Sequence, residues 1–115
     1  MIKFDRTWFG GVSVDGKNYR DILVIGNEII DRGKWGWFDT HIISERELNE
    51  LLRENPEVII IGSGIYGALK VPISVEEKIK RKRIELIVEK TQKAIEVYNE
   101  LSKKKRVNIL IHTTC

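Results

Sequence analysis

Three short apolar-rich runs in the second half of the chain, at 58–61, 84–88 and 107–111, constrain the fold more than any other feature. Each run has the length of a β-strand. The first, Val-Ile-Ile-Ile, is continuously apolar, as is typical of a strand that is covered on both faces of a sheet. We therefore predict three buried strands at these positions.

Helical patterns precede and separate these runs. Residues 44–47 and 74–77 have the form of capping boxes, in which a serine and a glutamate side chain each satisfy an exposed backbone N–H group. The first helix is predicted to stop at Pro56, and Thr91 is predicted to cap a third, longer helix. Strand, helix, strand, helix, strand with short connections predicts a βαβαβ unit with right-handed crossovers and a largely parallel core sheet.

The first 43 residues have the alternation and the turn residues of β structure. Asp15-Gly16 and Gly26-Asn27 predict tight turns, the second of which closes a hairpin. We expect this β-rich part, 1–43, to extend the core sheet or to pack on it as a smaller layer. With 115 residues and 13.4 kDa the chain has room for a single domain, in which 44–115 is the α/β part.

The amino-acid composition indicates the cellular compartment of the protein. The single cysteine, Cys115, excludes an intrachain disulfide and is compatible with a reducing compartment. The charged residues within 1–6 make a poor signal peptide, and the apolar runs are far shorter than the roughly 18 residues of a membrane span. We therefore expect a cytoplasmic protein without a membrane partner. Abundant isoleucine, lysine and glutamate, with a single glutamine, indicate a heat-tolerant source.

The net charge of +3 and the pI of about 9.0 raise the question of nucleic acid binding. The basic residues concentrate at 78–83 and 103–106, the predicted C-terminal ends of two helices, where cations favour the negative end of the helix dipole. No aromatic residues are interleaved with them, and no nucleic-acid-binding motif accompanies them. We favour solvated helix ends and do not expect a nucleic acid partner.

A glycine-rich segment, 62–67 (Gly-Ser-Gly-Ile-Tyr-Gly), directly follows the first predicted strand. Dinucleotide-binding loops of this pattern lead straight into a helix, but here 68–72 intervene and Pro72 disfavours helical geometry before it. Glu89 meets the spacing of a ribose contact, yet we expect no nicotinamide cofactor. The favoured interpretation is a structural turn, and the alternative is a small anion or metabolite site. The candidate ligand-binding residues are Gly62, Ser63, Gly64, Gly67 and Lys70.

The segment 112–115 (His-Thr-Thr-Cys) contains two types of metal ligand. Closed zinc sites need four ligands, however, and His41 is the only other histidine. A nucleophile–base pair is one alternative, but we favour a strand end followed by a short tail. We expect no metal, no cofactor and no catalytic residue.

Aromatic residues are prominent in the predicted loops and strand ends of the first 40 residues. Such residues form either a small core between layers or an exposed recognition surface, and we favour the small core. The set is Trp8, Phe9, Trp35, Trp37 and Phe38.

Several segments together resemble one known family. They are 9–17 with Tyr19, the region of Trp35 with His41, 56–58, the loop from Gly62 to Pro72, 84–86, Thr91 with Ala94, 98–99 and 112–115. The pattern resembles the MTH-type domain of the adipogenesis-associated domain-containing protein, of mitochondrial complex I assembly factor three and of uncharacterised archaeal and bacterial proteins. This resemblance implies a three-layer α/β fold, with a mixed central sheet flanked by helices and a small N-terminal β layer.

For function, the resemblance implies no catalytic residue, and the eukaryotic members of the family act through partner proteins. We therefore expect a non-catalytic binding or assembly domain that acts through an unknown protein partner or by self-association. The alternative is a small-molecule or anion binder, or an unrecognised enzyme, that uses the loop 62–72. Complex I assembly itself is not implied, because nothing in the chain indicates a mitochondrial presequence or a respiratory partner.

Overall fold

The backbone forms eight strands and three helices within 2–32 and 41–115, the residues that this computed structural model describes. The predictions for Trp35, Trp37 and Phe38 lie outside these ranges. In chain order the elements are β1 (Phe4–Trp8), β2 (Gly11–Val14), β3 (Lys17–Tyr19), β4 (Ile22–Ile25), β5 (Glu28–Asp31), α1 (Glu45–Leu51), β6 (Val58–Ser63), α2 (Ile73–Arg81), β7 (Glu85–Glu89), α3 (Thr91–Leu101) and β8 (Val107–His112).

The central sheet has five strands in the order β5-β4-β8-β6-β7. β6 runs parallel to its two neighbours, β8 and β7, whereas β4 runs antiparallel to both β8 and β5. The sheet is therefore mixed, as the family resemblance implied. The parallel sheet expected from the order of elements is correct for β8, β6 and β7. It is wrong for the hairpin β4–β5, which joins β8 in the antiparallel direction.

The first three strands form a separate antiparallel sheet in the order β1-β2-β3. Its predicted turn, Asp15-Gly16, joins β2 to β3, and both residues have positive φ, +49° and +82°. Two-residue hairpin turns of this kind match the twist of the strands they connect. The N-terminal part thus extends the central sheet with one hairpin and also forms a smaller β layer.

Two apolar cores cover the two faces of the central sheet. Along β6, Ile60 packs with α3 and the small sheet, whereas Ile59 and Ile61 pack with α1 and α2. All three side chains are completely buried. The layers are therefore α3 with the small sheet, the central sheet, and α1 with α2. Because β6 is covered on both sides, its apolar run needs no polar face.

The strand predicted from 84–88 forms, but it is not buried as predicted. It is β7, which lies at one edge of the central sheet and pairs only with β6. Leu86 and Ile87 are half-buried, and Val88 is 45% exposed. Charged Glu85 and Glu89 flank them, a composition that protects an edge strand from pairing with other chains.

Only the first of the two predicted capping boxes is present. Ser44 and Glu47 form it as predicted, with both reciprocal hydrogen bonds. α2 instead begins at Ile73, with Pro72 as its N-cap and no side-chain cap, so the prediction that Ser74 begins this helix is wrong. Thr91 is also not a cap, since it is the first residue of α3 and its hydroxyl bonds elsewhere.

The two basic clusters lie at helix ends as predicted. Lys78, Lys80 and Arg81 are in the last turn of α2, and 103–106 follow the end of α3. No helix in the part of the chain that the structure describes is long and apolar enough to cross a membrane.

Candidate functional site

The candidate site lies where the three parallel strands end. β6 ends at Ser63, β7 at Glu89 and β8 at His112, and we call this side of the molecule the carboxyl edge. After β6 the chain turns to α2 on one face, and after β7 it turns to α3 on the other face. Open α/β sheets usually bind ligands at a reversal of this kind.

The strand ends at this edge are tied together by Thr91 and Ser63. Its Oγ1 donates to the His112 carbonyl (2.6 Å) and accepts from the Gly64 N–H (3.0 Å), while the Thr91 N–H donates to the Gly64 carbonyl (3.1 Å). The Ser63 hydroxyl donates to the Glu89 carbonyl at 3.0 Å. The buried Thr91 thus connects the ends of β6 and β8, and Ser63 connects the end of β6 to that of β7.

β8 ends at His112 and a short segment, 113–115, follows it, as we favoured, and this segment is docked against the glycine-rich loop. The Ile65 N–H donates to the Thr114 carbonyl at 2.8 Å. The N–H groups of Tyr66 and Ala68 both donate to the backbone oxygen of Cys115, at 3.1 and 2.9 Å. The segment 113–115 therefore occupies donors that an anion-binding loop would offer to a ligand.

Close backbone packing explains two of the glycines. Gly64 has φ +104°, and a Cβ on it would lie 2.5 Å from the carbonyl carbon of Cys115. A Cβ on Gly62 would lie 2.8 Å from Cδ1 of Ile111. Real Cβ atoms are not found at such distances, so these glycines permit the docking of the tail and the packing of β6 against β8.

The five candidate ligand-binding residues are all in this one segment. Gly62, Ser63 and Gly64 are buried, whereas Gly67 and Lys70 are exposed. Every backbone N–H from 64 to 70 donates to an acceptor within the chain. The loop is therefore bonded as a structural turn, and ligand binding by these residues stays a prediction.

A buried group of charged side chains lies at the same carboxyl edge. We call it the polar cluster, and its members are Asp21, Arg32, Glu47 and His112. Arg32 and Glu47 are completely buried, and His112 is 1% exposed. Asp21 precedes β4, Arg32 follows β5, Glu47 lies in α1 and His112 ends β8. The fold thus brings four separate parts of the chain together at the carboxyl edge.

Arg32 is the centre of the polar cluster. Its Nε and Nη2 both donate to the Glu47 carboxylate, the latter at 3.4 Å, and its Nη1 donates to Oδ2 of Asp21 at 2.9 Å. Nη2 also donates to the carbonyl of Ile42 at 3.3 Å. Glu47 in turn accepts from the Ser44 N–H (2.8 Å), so the capping box extends into the buried network. A buried guanidinium is tolerated because two carboxylates neutralise it.

Asp21 accepts hydrogen bonds on both carboxylate oxygens. Oδ1 accepts from the N–H and the hydroxyl of Thr113, at 2.8 and 3.0 Å. Oδ2 lies 2.7 Å from Nδ1 of His112. Burial raises the pKa of Asp21, but the hydrogen bond from His112, the hydrogen bond from the Thr113 N–H and the charge of Arg32 lower it, and the pKa lies below its ordinary value. Asp21 is therefore ionised at neutral pH and acts only as an acceptor.

The other nitrogen of His112 faces the docked tail. Nε2 lies 3.2 Å from Oγ1 of Thr114, a partly exposed residue. The His41 ring packs edge-on against the His112 ring, with centroids 5.0 Å apart. The polar cluster is thus connected to the surface through Thr114. No group of three or more His, Cys, Asp or Glu side chains within 2–32 and 41–115 is arranged to hold a metal ion.

An exposed aromatic pair stands at the same edge. Phe9 and Tyr66 are 56% and 71% exposed, with ring centroids 6.1 Å apart. The Gly10 N–H donates to the Thr113 carbonyl at 2.7 Å, which attaches the β1–β2 turn to the docked tail. Phe9 is therefore on the surface and does not join the small core that we favoured for the aromatic residues.

Asp21, Arg32 and Glu47 are site residues that sequence patterns alone did not indicate. Glu47 carried one signal, its place in the capping box, but that signal indicated only a helix start. Asp21 and Arg32 bracket the hairpin β4–β5, and the Arg32 N–H donates to the Asp21 carbonyl at 3.0 Å. Residues at the two open ends of a hairpin are adjacent in space. The predicted hairpin therefore already placed the carboxylate of Asp21 near the guanidinium of Arg32.

A mixed five-stranded sheet with two helices on one face, and with a helix and a small sheet on the other, defines a three-layer α/β domain. The family model described as a protein of unknown function (DUF498/DUF598) matches residues 4–112. The chain belongs to this family.

Solved structures of similar chains have the same fold. The conserved hypothetical protein PH1505 from Pyrococcus horikoshii is 31% identical, with a TM-score of 0.85, and the match covers 98% of this chain and 99% of that one. A protein named MT938 is 38% identical, with a TM-score of 0.78 and 100% of both chains covered. An outer membrane protein from Bartonella henselae, 23% identical, has a TM-score of 0.78 over 97% of this chain and 94% of that one. At that identity the likeness supports the fold alone.

Proposed function

We propose that this chain is a binding or assembly domain that acts through a protein partner or through a second copy of itself, with the carboxyl edge as its contact surface. The observation that carries the proposal is the exposed aromatic pair, Phe9 and Tyr66. Aromatic side chains are enriched among the residues that contribute most to protein interfaces. They bury a large area while few rotatable bonds become ordered.

The backbone that carries this pair is held in place before any partner binds. Gly10, next to Phe9, is bonded to Thr113, and Tyr66 is bonded through its own N–H to Cys115. Binding is weakened when a surface must become ordered in the complex. A pre-organised aromatic pair avoids most of that cost, which supports a role in recognition.

The basic clusters do not support nucleic acid as the partner. Lys80 pairs with Glu76 at 2.7 Å and Lys103 with Glu100 at 3.6 Å, so each cluster is partly neutralised by its own helix. Nucleic acid binding depends on cations that are available to phosphates. A protein surface is therefore the partner that we propose.

The proposal includes two further points from the sequence. The first is a close relationship, within the family, to the MTH-type domains of the adipogenesis-associated protein and complex I assembly factor three. The second is a cytoplasmic location. The relationship supports a partner-dependent role, since the eukaryotic members act through other proteins.

The test removes the aromatic pair and leaves the scaffold intact. We compare the parent protein with a Phe9→Ser/Tyr66→Ser double variant, and use Ile73→Ser as a matched control because Ile73 is 74% exposed. Light scattering gives the mass in solution. Quantitative affinity purification from the source cells, with each form at equal amount, gives the bound proteins.

We expect a self-complex or a defined partner to be retained by the parent and by Ile73→Ser and to be lost by the double variant. Thermal unfolding must show that all three forms fold. A parent protein that is monomeric at every concentration, and that recovers the same proteins as the double variant, contradicts the proposal.

A small-molecule or anion binder at 62–72 is the alternative proposal. The exposed cation Lys70 favours it, whereas the internal acceptors of every N–H from 64 to 70 disfavour it. Saturable binding of inorganic phosphate that is lost in Lys70→Ala would favour the alternative.

A further inference from the structure

We propose that the Thr114 hydroxyl is a nucleophile that accepts an acyl group from activated esters or thioesters, with His112 as its general base and Asp21 as the residue that orients His112. This activity goes beyond the proposed binding role. It also departs from the expectation, made from the sequence, that the chain carries no catalytic residue.

Three hydrogen-bonding groups form a continuous line at the carboxyl edge. The Thr114 hydroxyl oxygen lies 3.2 Å from Nε2 of His112, and Nδ1 of the same ring lies 2.7 Å from Oδ2 of Asp21. A hydroxyl, an imidazole and a carboxylate in this order form the arrangement that activates serine in hydrolases. Such a triad is recognised by its geometry and not by the order of its residues in the chain.

The hydrogen bonds of the ring determine which nitrogen carries the proton. Asp21 is an acceptor only, so at 2.7 Å the Nδ1 of His112 must donate to it. Arg32 Nη1 also approaches Nδ1, but at 3.5 Å, and the shorter contact with the carboxylate determines the tautomer. In the neutral ring Nε2 then holds a lone pair, and the Thr114 hydroxyl is the donor to it.

The rest of the polar cluster supports this orientation. Asp21 is held by Thr113 through Oδ1 and by Arg32 through Oδ2, so its carboxylate cannot turn away from the ring. Arg32 and Thr113 are therefore positioning residues. His112 is 1% exposed, which limits competition from water for its hydrogen bonds.

Thr114 is more exposed than its base. It is partly exposed at the carboxyl edge, while the imidazole behind it is buried. The adjacent Cys115 thiol is exposed and free, and it is the competing nucleophile in this segment. His112 contacts the Thr114 hydroxyl, however, and this contact assigns the reaction to Thr114.

The reaction is balanced with water as the only co-reactant. Thr114 Oγ1 bonds to the acyl carbon while its proton passes to Nε2 of His112. The bond from the acyl carbon to the leaving oxygen or sulfur then breaks, and the leaving group takes the proton from His112. Water next attacks the acyl-threonine ester, giving one proton to His112. That proton returns to Oγ1 as the free carboxylic acid departs.

The experiment treats the full chain with p-nitrophenyl acetate and follows release of p-nitrophenol, with intact mass and peptide mapping to locate the acetyl group. We compare the parent protein with Thr114→Val, which keeps the shape, and with Thr114→Ser, which keeps the hydroxyl. Cys115→Ser removes the competing thiol. His112→Asn tests the base, with thermal unfolding to verify that each variant folds.

We expect one acetyl group per chain on Thr114, with an initial burst of product. Thr114→Val removes the nucleophile and should abolish both the acetyl adduct and the burst, whereas His112→Asn should lower the rate by about a hundredfold or more, the usual contribution of a positioned base. Thr114→Ser and Cys115→Ser should retain the rate. Acetylation of Cys115 or of lysines only, the same rate in Thr114→Val, or no adduct in the parent would each overturn the proposal. None of these outcomes depends on the partner-binding role.

Discussion

The glycine-rich loop 62–72 and the polar cluster lie at the same edge of the sheet, but the chain builds them in opposite ways. The loop is one continuous segment, and most of its hydrogen bonds run from backbone to backbone. The cluster collects Asp21, Arg32, Glu47 and His112, in which Asp21 and His112 are 91 positions apart. A local motif is visible in a sequence, whereas in this cluster only the closeness of Asp21 and Arg32, across one predicted hairpin, has a signal there.

The two regions also differ in how their stability arises. Outside its glycines the loop depends little on side chains, because most of its hydrogen bonds are made by the backbone and by the docked tail. The cluster contains charges without access to water, and each of them depends on its partner. Substitutions in the cluster should therefore cost more stability than substitutions in the loop.

Replacing Arg32 should have the largest effect. Arg32→Met leaves the carboxylates of Asp21 and Glu47 near each other without the guanidinium that neutralises them, and breaking a buried pair costs about 3–5 kcal/mol. For a domain of this size the melting temperature should fall by about 15 °C. Arg81→Met, at an exposed pair, is the control and should cost less than about 1 kcal/mol. Equal effects of the two variants would mean that the cluster does not stabilise the fold.

Acid should weaken the cluster through Asp21. Its folded pKa is lowered from the ordinary value, so the stability that its charge contributes is present above the unfolded-state pKa and is lost as pH falls through the folded pKa. We expect parent stability to decline from about pH 4 downward more steeply than that of Asp21→Asn, which has no carboxylate there to protonate. Chemical unfolding at several pH values measures both curves. Parallel curves would contradict the lowered pKa.

Alanine at Gly64 should have the largest effect within the loop. The backbone there has φ +104°, a conformation that costs a non-glycine residue about 1–3 kcal/mol, and the new Cβ meets Cys115 at 2.5 Å. Gly10→Ala is a matched control, because its φ is +95° but no atom lies within 4 Å of its Cβ position. The difference between the two variants in unfolding free energy measures the docking of the tail. If Gly64→Ala costs no more than Gly10→Ala, the tail is not held against the loop.

Substitutions at the two predicted capping boxes should differ by a smaller amount in unfolding free energy. Ser44→Ala removes a real cap and should cost about 1 kcal/mol. Ser74 lies within α2 and caps nothing, so Ser74→Ala should change stability by less than about 0.5 kcal/mol. Denaturant unfolding of both variants tests this. A larger loss at Ser74 would restore the helix start that the sequence indicated.

The sequence predicts the layers well because they follow from periodicity and turn chemistry. The run 58–61 indicates a doubly covered strand, and Asp15-Gly16 indicates a hairpin, and both are local signals. The exposure of Val88 is not predictable in this way, since it depends on which strand lies at the sheet edge. The docking of 113–115 and the pairing of Arg32 with Glu47 depend on contacts between distant segments. Such contacts leave no periodic pattern in the sequence.

Replacing Lys70 should have the smallest effect of all. Its side chain is exposed, and its backbone bonds to His41 and Ile43 do not depend on the side chain, so Lys70→Ala should change stability by less than about 0.5 kcal/mol. Inorganic phosphate, AMP and citrate should leave the parent melting temperature unchanged, because the N–H groups from 64 to 70 already have acceptors. A ligand at 100 times its Kd would instead add about 2.7 kcal/mol, an increase that a thermal shift assay detects. Lys103→Ala is the control for a general loss of positive charge. A stabilising anion whose effect survives Lys103→Ala and is lost in Lys70→Ala would make the loop the binding site, with the docked tail as the segment that the ligand displaces.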